Sequence, residues 1–132
     1  MIGIDTNVLV RYIAQDDPAQ TPIATRLFER RLSAAEPGHI SIVTLAEALW
    51  VLGSRFKAKP AELIEIMQQL LADPRLVVQH EHAAWLAVEA AEEQGADIAD
   101  ALIAFLNDEA GCSHTLTFDV RAARLPRMKL LQ

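Results

Sequence analysis

Residues 39–54 read HISIVTLAEALWVLGS. The first four have the length and apolar content of a short buried strand, and VTLAEALWVLGS continues from it directly as a helix closed near Gly53. A strand that runs straight into a helix is half of a βα unit, and the rest of the chain repeats the alternation. Upstream, residues 2–4 (IGI) form a strand ending at Asp5, and residues 7–13 read as a short helix. Residues 19–34 set Ile23, Leu27 and Phe28 on one side and Arg26, Arg30 and Arg31 on another, an amphipathic helix stopped by Pro37-Gly38. Downstream, Pro60 opens a helix through AELIEIMQQLL, and Asp73-Pro74 turns the chain into a strand at 76–79. Helices over 81–94 and 98–110 end at Gly95 and Gly111, where left-handed caps fit, and strands follow at 115–118 (TLTF) and 128–131 (MKLL).

Strands separated by helices predict an α/β fold: a three-layer α/β/α sandwich with a central, mostly parallel sheet and right-handed crossovers. No repeat or linker interrupts the 132 residues, which suit a single domain over 1–132 that buries roughly two-thirds of its unfolded surface. With 5% aromatic residues in a chain that is 52% hydrophobic, the core must come from Ala, Leu, Ile and Val. Trp50 and Trp85 fall on apolar helical sides and are expected in that core, as is Cys112, a small hydrophobe after Gly111.

The single cysteine excludes an internal disulfide framework and fits a reducing compartment. No signal-like N-terminus appears, and no apolar run approaches the roughly 18 to 20 residues that cross a bilayer, so a cytoplasmic protein with no membrane partner is expected. The net charge of −6 opposes non-specific adhesion to nucleic acid. That objection weakens if the negative charge is gathered in one pocket and neutralised there by divalent cations.

Most acids lie on plainly polar helical faces. Four do not: Asp5 ends an apolar strand, Glu47 interrupts VTLAEALWVL, Asp100 stands inside IADALIAFL, and Asp119 follows TLTF. Asp5 and Asp119 therefore lie at the carboxyl ends of strands, where ligands of open α/β sheets bind. Carboxylates converging to about 5 Å would repel by about 3 kcal/mol per pair at an effective dielectric of about 20, and Mg²⁺ or Mn²⁺ is the natural compensation. Capping competes as an explanation: Asp5-Thr6-Asn7 suits the start of the following helix, Asp97 suits an N-cap with Asp100 three residues on, and Asp119 suits a turn. Glu47 has no capping role in mid-helix, and a rim position in solvent is its plain alternative. His80 and His82 lack a third zinc ligand.

The ordered set IDTNVLV, TLAEALWVL, GADIADALIAFLNDEAGC and LTFD resembles the PIN-domain ribonucleases, and specifically the VapC toxins of toxin-antitoxin pairs. The resemblance covers nearly the whole chain. It implies a Mg²⁺- or Mn²⁺-dependent endoribonuclease that hydrolyses phosphodiesters with an activated water, its metal-binding and catalytic acids being Asp5, Glu47, Asp100 and Asp119, with Asp97 as an additional ligand. Thr6, Asn7 and Thr117 take supporting positions. The resemblance further implies a homodimer, an RNA substrate and a small cognate antitoxin of the VapB type. RNA needs a basic rim, for which Arg11 and the loop residues Arg55, Lys57 and Lys59 are candidates, with the Arg26/Arg30/Arg31 face and Arg121, Arg124, Arg127 and Lys129 behind them.

Two other readings stand beside this one. A haloacid-dehalogenase-like phosphatase also begins with an Asp after its first strand, but wants a second Asp where this chain has Asn7. A catalytically silent PIN-fold binding module typically lacks one or more of the acids, and here all four positions are filled.

Overall fold

The computed structural model describes all residues from Met1 to Gln132. The chain divides into two compact units, one formed by Met1–Lys59 and Gln69–Gln79, the other by Pro60–Gln68 and His80–Gln132.

The first unit holds a parallel three-stranded sheet of β1 (Ile2–Gly3), β2 (Gly38–Ile40) and β3 (Leu76–Val78), in that order. Ile2 pairs with Gly38, and Gly38 with Leu76, so β2 is central. Gly38 fits a tight place there: an added Cβ would lie 3.0 Å from Leu32 Cδ1 and 3.1 Å from Ile4 Cγ1, so those side chains would have to give way. Helix α1 (Thr6–Ala14) packs on α2 (Gln20–Arg26) and on α3 (Ile42–Ser54). Leu9 of α1 and Leu45 of α3 meet Ile40 of β2 and Phe28, just after α2, in a fully buried core. The Phe28 ring stacks on Tyr12, with centroids 4.0 Å apart and planes 3° from parallel.

The amphipathic stretch expected over 19–34 is not one uniform helix. After α2 the chain widens into a π turn over Leu27–Arg31, where the Leu32 amide bonds five residues back to the Leu27 carbonyl. Phe28 is buried in this turn while Arg30 and Arg31 stay exposed. Asp17 anchors the start of α2 by accepting the Ala19 and Gln20 amides at 2.9 and 2.7 Å. Those amides, the Gln20 one first, hold its carboxyl below the usual range.

Ser41 likewise belongs to a cap and not to a strand. Its hydroxyl accepts the Thr44 amide at 3.2 Å, so β2 ends at Ile40 and α3 begins at Ile42. Helix α3 buries Leu45, Ala48, Leu49 and Leu52, the i, i+3, i+4, i+7 set. That register turns the opposite face outward and corrects the expectation for Trp50, which is 72% exposed beside an equally open Val43.

In the second unit, α5 (Glu81–Gln94) and α6 (Ile98–Glu109) pack on each other through an alanine-rich seam that includes Ala84, Ala87 and Ala101, all fully buried. The left-handed caps expected at Gly95 and Gly111 are present, with φ of 67° and 94°. Strands β4 (Thr115–Thr117) and β5 (Met128–Leu130) form a parallel pair joined through a single 3₁₀ turn, Ala122–Arg124. Helix α4 (Pro60–Ala72) starts in this unit, as Pro60 predicted, and its last residues belong to the first. Two further expectations are corrected here. Trp85 is 40% exposed because α5 turns Ala83, Ala84, Ala87 and Val88 inward, and Cys112 is exposed in the loop after the Gly111 cap.

The architecture is thus α/β, with six α helices and every strand pairing parallel. No helix is long and apolar enough to cross a membrane.

Candidate functional site

In the second unit the turn into α6 and the turn after β4 bring three acids to one cavity. Asp97 is the N-cap of α6, in extended conformation, and its Oδ1 accepts the Ala99 and Asp100 amides at 3.0 and 3.1 Å. Asp119 follows β4 by one residue, and its Oδ1 accepts the Arg121 and Ala122 amides at 2.8 and 3.0 Å. Each cap commits one oxygen to the backbone and leaves Oδ2 without a protein partner. The capping explanation for these two residues is therefore correct as far as it goes, and it leaves a donor atom over.

The Asp100 carboxyl has neither a hydrogen bond nor an ion pair, and the residue is half-buried. Burial, and then the charges of Asp97 and Asp119, push its carboxyl above the usual carboxylate range. The three acids line a cavity of about 360 Å³ together with Arg121 and Arg124, while Pro60, Leu63 and Ile64 supply an apolar wall. Neither arginine is ion-paired, and both are exposed. They belong to the C-terminal basic group of the sequence, and the fold gives them a direct relation to the acids.

In the first unit Asp5 follows the carboxyl end of β1, is exposed, and caps α1 by accepting the Thr6 amide at 2.8 Å. Thr6 is buried and Asn7 exposed. Glu47 stands in solvent on the outward face of α3, at the rim position the sequence left open. It is not pressed among apolar side chains as its neighbours in sequence implied, because Val43 and Trp50 are themselves outside. Thr117 sits at the end of β4, where its Oγ1 accepts the Asp119 amide at 3.0 Å.

Of the basic candidates, Arg11 is engaged by Asp16 at 3.5 Å, Asp17 at 3.9 Å and Gln20 at 2.8 Å. It lines a second cavity, wholly within the first unit and about 800 Å³ in volume, with Arg26, Arg31 and an apolar floor that includes Val8 and Leu27. Arg55, Lys57 and Lys59 are exposed in the loop after α3. His80 Nδ1 is bonded to Glu109 Oε1 at 2.5 Å.

No three His, Cys, Asp or Glu side chains stand close enough together to hold a metal ion by themselves. The chemistry of the donors in the second unit nevertheless fits a hard divalent cation. Such an ion takes carboxylate oxygen, keeps several of its own waters and needs only one or two protein carboxylates. The Asp100 carboxyl, without a partner and raised by burial and then by its acidic neighbours, gains most from a positive charge.

An α/β chain with parallel strands, carrying acids at strand ends and at a helix start, defines the class. Within it the assignment is specific: this chain belongs to the PIN-domain family, whose model matches residues 2–128 and so runs through both units. The PIN domain is a nuclease fold. No curated protein matches the chain.

Proposed function

We propose that this protein is a Mg²⁺- or Mn²⁺-dependent endoribonuclease that acts as the toxin of a VapBC-type toxin-antitoxin pair. The observation that carries the nuclease reading is Asp100, half-buried and unpartnered, sharing one cavity with Asp97 and Asp119 in a chain of the PIN family.

Asp97, Asp100 and Asp119 are the acids proposed for the cation in the second unit, one or two of them in direct contact with it and the rest through its own waters, and Asp5 and Glu47 are the further acids proposed to bind metal and to be required for cleavage. A bound divalent ion supplies Lewis acidity toward a phosphate oxygen and makes a coordinated water more acidic. The chain's own groups do the rest. The amides bonded to Asp97 and Asp119 fix both carboxylate planes, so their free oxygens need no reorganisation when charge arrives. Thr117 holds the Asp119 turn, and Thr6 and Asn7 take the same supporting part beside Asp5. Arg121 and Arg124 offer the cavity a site for the phosphodiester, and Arg11, Arg55, Lys57 and Lys59 are proposed to track the RNA backbone elsewhere.

The toxin role, the VapB-type antitoxin, the homodimer and the cytoplasmic setting rest on the sequence motifs. Family membership leaves the haloacid-dehalogenase alternative without support. The silent binding module is separated by experiment: the purified chain should cut RNA only with Mg²⁺ or Mn²⁺, lose cleavage to a chelator, and lose about 100-fold or more with Asp100→Asn or Asp5→Asn. Cleavage that survives chelation, or full activity in both variants, would overturn the reading.

A further inference from the structure

β4 ends at Thr117, so Phe118 lies just outside the strand on the side of Leu116. Phe118 is 80% exposed, more than any other large apolar side chain of the chain. A phenyl ring left in water forgoes the favourable burial such a side chain normally finds. Nor is the segment loosely held. Thr117 Oγ1 accepts the Asp119 amide, Asp119 Oδ1 accepts two amides, and the Asp119 carbonyl accepts the Ala123 amide at 3.0 Å. The backbone is thus pinned just after the ring, and the next residue in sequence is an acid of the cavity that Arg121 and Arg124 also line.

We infer that Phe118 is a stacking platform for one unpaired base of an RNA strand whose adjacent phosphate lies against Arg121 and Arg124. The inference rests on the nuclease reading and adds the side chain that would position the strand: Phe118, holding one unpaired base by stacking. The base and phosphate of one nucleotide are covalently tied, so an aromatic face and two free guanidiniums around one short turn suit it. In a duplex both faces of each base are covered by its neighbours, and the ring finds no partner without unstacking. Every base has a π face, so this contact tolerates sequence and selects for strandedness.

The test uses the full chain carrying Asp100→Asn, which keeps the RNA intact and removes one charge that repels phosphate. A single-stranded oligoribonucleotide is scanned with 2-aminopurine, whose fluorescence is quenched by stacking. One position should be quenched on binding, and Phe118→Ala should abolish that quench and weaken binding about 5- to 150-fold. Phe118→Leu, which keeps apolar bulk without a π face, should behave like Ala, and Phe118→Trp like the parent. Binding of the same sequence as a duplex should not respond to the substitutions. On the otherwise unchanged chain, the same Phe118 variants should raise KM for single-stranded RNA and leave kcat in place. Unaltered KM and Kd in Phe118→Ala, or parental binding by Phe118→Leu, overturn the stacking role while RNA cleavage stands. A parent chain that neither cuts nor binds RNA removes the nuclease reading and this inference together.

Discussion

Asp97 and Asp100 stand one turn apart at the start of α6, and the first both steadies and disfavours the second: Asp97 Oδ1 accepts the Asp100 amide at 3.1 Å while its charge raises the Asp100 carboxyl. A cap is normally a stabilising device. Here it also helps keep an acid under electrostatic load.

The load has a sign that can be measured. A carboxyl raised in the folded state is a cost that is absent below its unfolded value and fully present above its folded one. Asp100→Asn should therefore raise Tm at pH 7 in the absence of divalent ions, while the gain vanishes toward pH 3. Mg²⁺ should raise the Tm of the parent more than that of the variant. Differential scanning at the two pH values, with and without metal, checks both.

The two roles of Asp97 separate by substitution. Asp97→Ser keeps a capping oxygen and removes the charge, so it should hold stability within a few tenths of a kcal/mol; Asp97→Ala should cost about 1 kcal/mol. If Asp97 also binds the cation, both variants lose metal affinity alike, which calorimetric titration with Mn²⁺ would read.

Asp73 and Arg75 predict acid sensitivity of the first unit. The Arg75 guanidinium bonds Asp73 at 2.7 Å and holds its carboxyl below the usual range, and the same guanidinium donates to the Phe28 carbonyl at 2.8 Å. A depressed carboxyl contributes stability that is present above its unfolded value and is lost as pH falls through the folded one. Arg75→Ala should cost about 1 to 3 kcal/mol at pH 7 and less below pH 3, seen as converging urea midpoints.

Gly38 predicts a packing limit. A Cβ there meets Leu32 and Ile4 at 3.0 to 3.1 Å, and both are movable side-chain ends, so Gly38→Ala should be tolerated with a small loss. Gly38→Val adds bulk that those side chains have no room to yield to, and should cost about 1 to 3 kcal/mol by thermal unfolding.

The α/β alternation was legible because it is written in local signals: Pro60 at a helix start, Gly95 and Gly111 at helix ends, apolar runs between them. The acids at strand ends were legible for the same reason, since Asp5 and Asp119 directly follow the short runs IGI and TLTF. Exposure was less so. Trp50 looked buried because its helix is apolar nearly all round, and only the packing partner decides which side of such a helix faces in. The π turn at Leu27–Arg31 leaves no mark in the periodicity. Phe118 was read as the last residue of a strand, and its position one step beyond the last strand pair is a property of the turn that Thr117 and Asp119 build.

The alanine seam between α5 and α6 has a mechanical result. Alanine has no side-chain rotamers to exchange, so the buried Ala84, Ala87 and Ala101 offer no alternative side-chain arrangement at their positions. Any larger side chain at Ala87 must wedge the axes apart, and Asp100, carried on α6, would travel with its helix. The position of the loaded acid is in that sense gauged by the smallest side chains beneath it.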